Sequence, residues 1–372
     1  MENQKLVIET STLQELVGKA VKGCSFVDVI PITGWMQLRT VNKEDSKYLE
    51  ITTTDNVNFL TLRSGAIESS DFHIVVNAKL FSSLVGKLTT QTTSLLVDGN
   101  KLVVKANGVY NIELCFDMDG SAITFPCMNP ENMEEQSQLN NLNIKSILTL
   151  NKSCKAEMKE VPALYNYYMD SERILTTDFY RVCTNPVKAF NNPTCLTPEL
   201  VELIPTVADD NGVKISCNDT DVMIYSSKGT LFGKKCVQDD VDQYPVQDLV
   251  SIISEKLNYS CKINRTLLIN ALDRICLFTQ LFESNMVNVK FTKENLTLGS
   301  STNAGNEVIS YLSPINNEED INFNCNLDGA FLKNQLTSCT REDITLNFGS
   351  DNGIQIVCDN VILTLGSLDE EV

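Results

Sequence analysis

One pattern recurs along this chain, and that repetition constrains the fold more than any single motif in it. It is clearest at Ile263 to Phe278, INRTLLINALDRICLF, where Asn264 can cap a helix and Leu267, Leu268, Ala271, Leu272 and Ile275 share one face at 3.6-residue spacing. Thr266, Asn270 and Arg274 form the opposite stripe. At Asn77 to Leu88 the apolar face is Leu80, Phe81, Leu84, Val85 and Leu88, with Lys79, Ser83 and Lys87 opposite. At Asp328 to Arg341, Phe331, Leu332, Leu336 and Cys339 face inward while Lys333, Thr337 and Arg341 follow one another at i, i+4 outside. Ser11 to Lys22 opens with a capping box, Ser11 and Gln14, and continues with Leu13, Leu16, Val17, Ala20 and Val21, leaving Lys19 and Lys22 off the apolar face. Weaker windows start at Asn143 and Thr197, so helix starts recur roughly every 55 to 65 residues, the mark of internal repetition.

Between the helices the sequence reads as strands and tight turns. Ser94 to Lys105 is a hairpin turning at Asp98-Gly99-Asn100, and Val213 to Tyr225, Val287 to Leu298 and Ile344 to Val357 alternate in the same way. Pro126 to Gln138 and Gln238 to Gln247 lack periodicity and read as linkers. Cutting there gives three segments, 1–126, 127–245 and 246–372, each a doubled half-unit with two helix windows. The expected class is α+β, with antiparallel sheets and paired helices in three similar domains. Gly366 to Val372 is a short acidic tail expected to fray.

Composition narrows the chemistry. No apolar run approaches the ~20 residues that span a bilayer, and Met1 to Lys5 lacks the features of a signal peptide, so a cytoplasmic protein is expected. Thirteen Cys without a C-x-x-C argue against a disulfide framework or zinc ribbon, and are expected to be small buried hydrophobes. His73 is the only histidine, which excludes Ser-His-Asp, Cys-His and multi-His metal chemistry and leaves His73 as a polar strand residue. A formal charge of −18 argues against a nucleic-acid partner in sum, yet the outward stripes of the clearest helices are basic.

The residues on this repeat resemble the bacterial-type sliding clamp, the beta subunit of DNA polymerase III. The resemblance lies in Val29-Ile30-Pro31-Ile32, Thr54-Asp55, Val76-Asn77-Ala78-Lys79 and Phe125-Pro126 in the first segment. In the second it lies in Leu175 to Val182, LTTDFYRV, similar to that family's T-D-G-H-R-L with Phe179 and Tyr180 in place of Gly and His, and in Tyr244-Pro245. It runs the full length through spacing, and no one motif is specific alone.

The resemblance implies two subunits closed head to tail around duplex DNA, a homodimeric processivity factor with no cofactor and no catalytic residues. Lys19, Lys22, Lys79, Lys87, Lys145, Lys152, Arg274, Lys333 and Arg341 would face phosphates without reading bases. The window from Thr197, carrying Glu199 and Glu202, would stay away from DNA. By similarity Tyr110 would meet Cys276 and Leu277 of a second copy. Tyr165, Thr177, Phe179, Val182, Pro245, Val361 and Leu363 would form a groove for short peptides of the polymerase and clamp loader, narrowed by Phe179 and altered by Thr364 and Gly366. Those departures leave a phage or mobile-element origin open beside a cellular one. Two other classes remain open: a Mg-dependent nucleic-acid enzyme using Asp117-Met118-Asp119, Asp209-Asp210, Asp239-Asp240-Val241-Asp242 or Glu318-Glu319-Asp320, and a β-rich structural assembly protein.

Overall fold

The computed structural model describes residues 4–368 except 28–29, 44–45, 68, 118, 122, 127, 129, 158–160, 281–284, 301–303, 316–320 and 351–352. Val29 and Met118, the Glu318 to Asp320 cluster and the tail beyond residue 368 therefore lie outside the described residues. The chain forms two units, Met1–Ile144 with Glu199–Lys235, and Lys145–Pro198 with Cys236–Val372. All strand pairs are antiparallel.

The first unit holds a four-stranded sheet in the order Lys5–Glu9, Thr92–Asp98, Lys101–Lys105, Val109–Glu113. Its eight-stranded sheet runs His73–Asn77, Trp35–Lys43, Ser46–Thr54, Phe59–Ile67, Gly229–Lys234, Asp221–Ser226, Val213–Cys217, Glu134–Leu139. Phe59–Ile67 and Gly229–Lys234, far apart in sequence, pair from Phe59 opposite Phe232 to Leu62 opposite Gly229. Glycine is required at that joint, because a Cβ on Gly229 would meet the Thr61 carbonyl at 2.4 Å.

Two helices, α1 (Thr10–Ala20) and α2 (Ala78–Val85), pack against each other in this unit. Asn77 caps α2 through Leu80 N–H. The capping box expected at Ser11 does not form. Helix α1 starts one residue earlier, its Thr10 N–H donates to Gln91 O, and Gln14 Nε2 donates to the Val85 and Leu88 carbonyls at 2.9 and 2.8 Å. Gln14 thus satisfies orphan acceptors at the end of α2 rather than a donor at the start of its own helix.

In the second unit the eight-stranded sheet runs Thr194–Leu196, Tyr167–Met169, Ile174–Thr177, Arg181–Asn185, Val361–Gly366, Gly353–Cys358, Asp343–Ser350, Tyr259–Asn264. Here the long-range joint is Arg181–Asn185 against Val361–Gly366, with Val182 opposite Thr364 and Cys183 opposite Leu363. A four-stranded sheet runs Asn306–Ser310, Asn295–Ser300, Met286–Phe291, Phe323–Asp328. Helix α3 (Asn141–Ser146), whose residues from Lys145 onward belong to this unit, continues through a wide turn to Cys154 and buries Ile147, Leu150 and Cys154. It is followed by α4 (Val246–Ser254), α5 (Arg265–Gln280) and α6 (Gly329–Ser338). Phe291 and Phe348 stack at 4.0 Å in the core beneath α5 and α6.

Helical period located these faces but overstated two of them. Leu268, Ala271, Leu272 and Ile275 are buried as expected, whereas Leu267 is 55% exposed; Phe81, Val85 and Leu88 are buried, whereas Leu80 is 54% exposed. Both exceptions sit in the first turn, where a side chain overhangs the chain end rather than a neighbouring element. The window from Thr197 is not one helix but two single turns, Pro198–Val201 and Ile204–Val207, divided near Pro205.

Both linkers contain ordered structure. Glu134–Leu139 is a polar edge strand against Val213–Cys217. Gln238–Asp242 is a helical turn with two aspartates at its N-terminal end, and Tyr244 beyond it is buried with its hydroxyl donating to Leu175 O at 3.2 Å. Gly366 and Leu368 are also tied down, donating to Tyr180 O and Asn326 O, so fraying cannot begin at Gly366.

Candidate functional site

The groove residues all belong to the second unit, and Thr177, Phe179 and Val182 lie on or beside one turn. Thr177 Oγ1 donates to Arg181 O at 2.7 Å and accepts from Phe179 N–H at 3.1 Å. Asp178 Oδ1 accepts from the Tyr180 and Arg181 N–H groups, while its Oδ2 accepts from Arg181 Nε and Nη2 at 2.8 and 2.6 Å. These bonds hold Phe179 at φ 74°, the left-handed region that favours glycine or asparagine. Its ring is 67% exposed and that of Tyr180 61%, so the turn presents two neighbouring aromatics to solvent. Buried Arg181 lies over the Phe331 ring at 4.0 Å, fixing the turn to α6.

The same turn occurs in the first unit. Thr54 Oγ1 donates to Asn58 O at 2.7 Å, Asn56 N–H donates to Thr54 Oγ1, and Asp55 Oδ1 accepts from Val57 and Asn58 N–H. Asn56 there has φ 79°. The chain repeats this hydrogen-bond pattern but changes the residue at its tip from Asn56 to Phe179.

The remaining groove residues divide by depth. Thr177 and Val182 are buried opposite each other on one face of the sheet, whereas Val361 and Leu363, in step with Cys183, are buried on the other face in the core beneath α5 and α6, so side-chain alternation along the strand removes these two from the expected groove. Tyr165 is half-buried beneath Lys155 Nζ, 4.9 Å from its ring centroid, and Pro245 is half-buried at the start of α4. Thr364 is buried opposite Val182. Tyr180, Arg181 and partly exposed Ile252 on α4 were not singled out for the groove by sequence; the Thr-Asp step before two aromatics is the signal that marks the first two.

Lys22, Lys79, Lys87, Lys145 and Lys152 are exposed, on or beside the helices expected to carry them. Lys19, Arg274, Lys333 and Arg341 pair with acids of the same unit. Lys19 meets Glu15 at 2.6 Å and Arg341 meets Asp359 at 2.6 Å, Arg274 is held by Glu307, and Lys333 bridges α6 to Asp273 of α5. The Arg274 pair holds the Glu307 carboxyl below its usual range, and Asp273 raises Lys333. These four cations are therefore partly neutralised before any partner arrives.

Tyr110 is partly exposed on Val109–Glu113, the last strand of the first four-stranded sheet, opposite Val104 of its own hairpin. Cys276 is half-buried and Leu277 exposed on α5. Asn306–Ser310, at the edge of the other four-stranded sheet, exposes Val308 as Val109–Glu113 exposes Val109.

Two of the acidic clusters are occupied locally. Asp209 accepts from Ser227 and from Asn211 N–H, which lowers its carboxyl below the ordinary range, and Asp119 caps a turn at Ser121. Among the described residues no three of His, Cys, Asp and Glu come together as a metal site. The described cysteines are all free thiols, and His73 is a strand residue whose Nε2 meets Gln37 at 3.0 Å. No helix among the described residues is long and apolar enough to cross a membrane.

No protein-family model matches the chain, and no curated protein does. Solved structures do match. The DNA polymerase III beta subunit of Thermotoga maritima is 16% identical, with a TM-score of 0.80 over 99% of this chain and 100% of that one. The sliding clamp of Bacillus subtilis is 18% identical, with a TM-score of 0.80 over 100% of both chains. The Helicobacter pylori beta clamp, solved with a DNA ligase peptide, is 15% identical with a TM-score of 0.76 over 98% of this chain and 100% of that one. From end to end, this chain has the fold of the DNA polymerase III beta subunits, the bacterial sliding clamps.

Proposed function

We propose that this protein is a sliding clamp, a non-catalytic processivity factor whose two copies close around duplex DNA and tether a replicative polymerase and other partners by short peptides. The observation that carries this reading is how its segments join. On the division 1–126, 127–245 and 246–372, each of the two internal boundaries is bridged by antiparallel pairing, Phe59–Ile67 with Gly229–Lys234 and Arg181–Asn185 with Val361–Gly366. The four-stranded sheets of the first and last segments are left with open edges at Val109–Glu113 and Asn306–Ser310. Pairing those edges between two copies completes the series, placing Tyr110 against the partner's Cys276 and Leu277. An unpaired apolar edge is a liability that such closure removes.

The exposed lysines of the helices supply loose phosphate contacts of the kind that permit sliding. In the second unit the exposed Phe179 and Tyr180 residues beside Val182 suit a peptide with Leu or Phe anchors, as a DNA ligase peptide binds the Helicobacter pylori clamp. A cytoplasmic setting follows from DNA as the partner. Solution mass tests the ring directly: twice the protomer mass is expected, and a stable monomer would remove the second half of the circle.

A further inference from the structure

The first unit contains a cavity of about 230 Å³ on the face of its eight-stranded sheet, partly roofed by Phe125 and Pro126. At its base is a buried carboxylate gripped from both sides. Arg39 Nε and Nη2 donate to Glu50 Oε2 at 3.2 and 2.9 Å, and Arg63 Nε and Nη2 donate to Glu50 Oε1 at 3.1 and 2.6 Å. Glu50 is buried, whereas both arginines keep part of their surface exposed. The three residues carry a net charge of +1 in a chain of −18. Because each guanidinium uses its Nε/Nη2 edge on Glu50, its Nη1 end is directed away from that carboxylate, preoriented for another anion. Phe59, Phe125 and Phe232 supply the apolar part of the same cavity.

We infer that this cavity is a second docking site, which takes a short peptide carrying an acidic side chain next to a large apolar one. Charge complementarity selects the acid, since the two arginines outnumber the single carboxylate that holds them. The lining selects the neighbour, since Phe59, Phe125 and Phe232 suit one large apolar side chain. The peptide class is supported by internal repetition. The turn Thr54 to Asn58 leads into the strand bearing Phe59 as the turn Thr177 to Arg181 leads into the strand bearing Val182, and Phe125-Pro126 stands in sequence as Tyr244-Pro245 does. Only for this choice of a peptide does the inference rest on the groove reading of the second unit.

The test uses a fluorescein-labelled pentapeptide, DLEFD, and the full chain carrying Phe179→Asp, which takes the ring from the other groove and sets there a carboxylate that repels the acidic peptide. Saturable binding is expected by fluorescence anisotropy, weakening as salt is raised. In the same background Arg63→Gln should lower affinity by about tenfold or more through loss of charged hydrogen bonds. Thr61→Trp should abolish binding by filling the cavity while leaving the Arg39, Glu50 and Arg63 cluster and the circular dichroism spectrum unchanged. No binding in the Phe179→Asp background, or binding that both further variants leave intact, would overturn the inference. Failure of the groove reading is a separate result, in which a Leu/Phe peptide binds the unmodified chain and its Phe179→Asp variant equally.

Discussion

Phe179 sits where its backbone is costly and its ring is not buried, so packing does not explain the residue. A side chain in the left-handed region costs of order 1 to 3 kcal/mol, and the repeated turn in the first unit uses Asn56, which tolerates that region better. Phe179→Gly should therefore raise stability in urea by about 1 kcal/mol while weakening binding of a Leu/Phe peptide, because the exposed ring is lost. An unchanged affinity would show that the ring is not a contact. Thr177→Ala should act in the opposite sense on stability, lowering it by about 1 to 2 kcal/mol, since one buried hydroxyl serves two backbone groups of the turn. The site was partly legible in sequence because Thr-Asp before two aromatics is local. The paired state of Arg274 and Arg341 was not, since Glu307 and Asp359 are distant in sequence and no period links them.

At the scale of elements, helices and hairpins were legible because their signals are periodic. The turn at Gly99, with φ 56°, falls inside the expected hairpin, and Asn264 caps α5 through Leu267 N–H. Polar structure was not legible: Glu134–Leu139 has no apolar alternation and is strand only because Val213–Cys217 offers it an edge. Gln14 makes the same point in a testable way. Gln14→Ala should destabilise the protein by about 1 to 2 kcal/mol, by stripping two carbonyls at the end of α2, whereas Ser11→Ala should be close to neutral. Equal effects in thermal unfolding would restore the capping-box reading. A core substitution sets the scale: Phe348→Ala, beneath α5 and α6, should cost about 3 to 5 kcal/mol.

For the whole molecule, the proposed function makes self-association and DNA retention depend on the same sheet edges. Placing a charge at the centre of one, Val308→Lys, should disfavour strand pairing and shift the protein from twice the protomer mass toward the monomer without altering its circular dichroism. Retention on DNA should fall with it. The unmodified protein, assembled on a closed circular plasmid at low salt, should remain through a high-salt wash and leave once the plasmid is cut, because a closed ring can escape only over an end. The Val308→Lys variant should be washed from circular and cut plasmid alike. Replacing Lys22, Lys79, Lys87 and Lys145 with Ala should behave differently, reducing the slope of log affinity against log salt by up to roughly three to four per protomer while leaving the preference for circles intact. The two variants thus separate the topological part of binding from the electrostatic part. Equal release of the unmodified protein from circular and cut DNA would leave only an ordinary basic surface, for which the segment-by-segment closure of the sheets would have no functional reason.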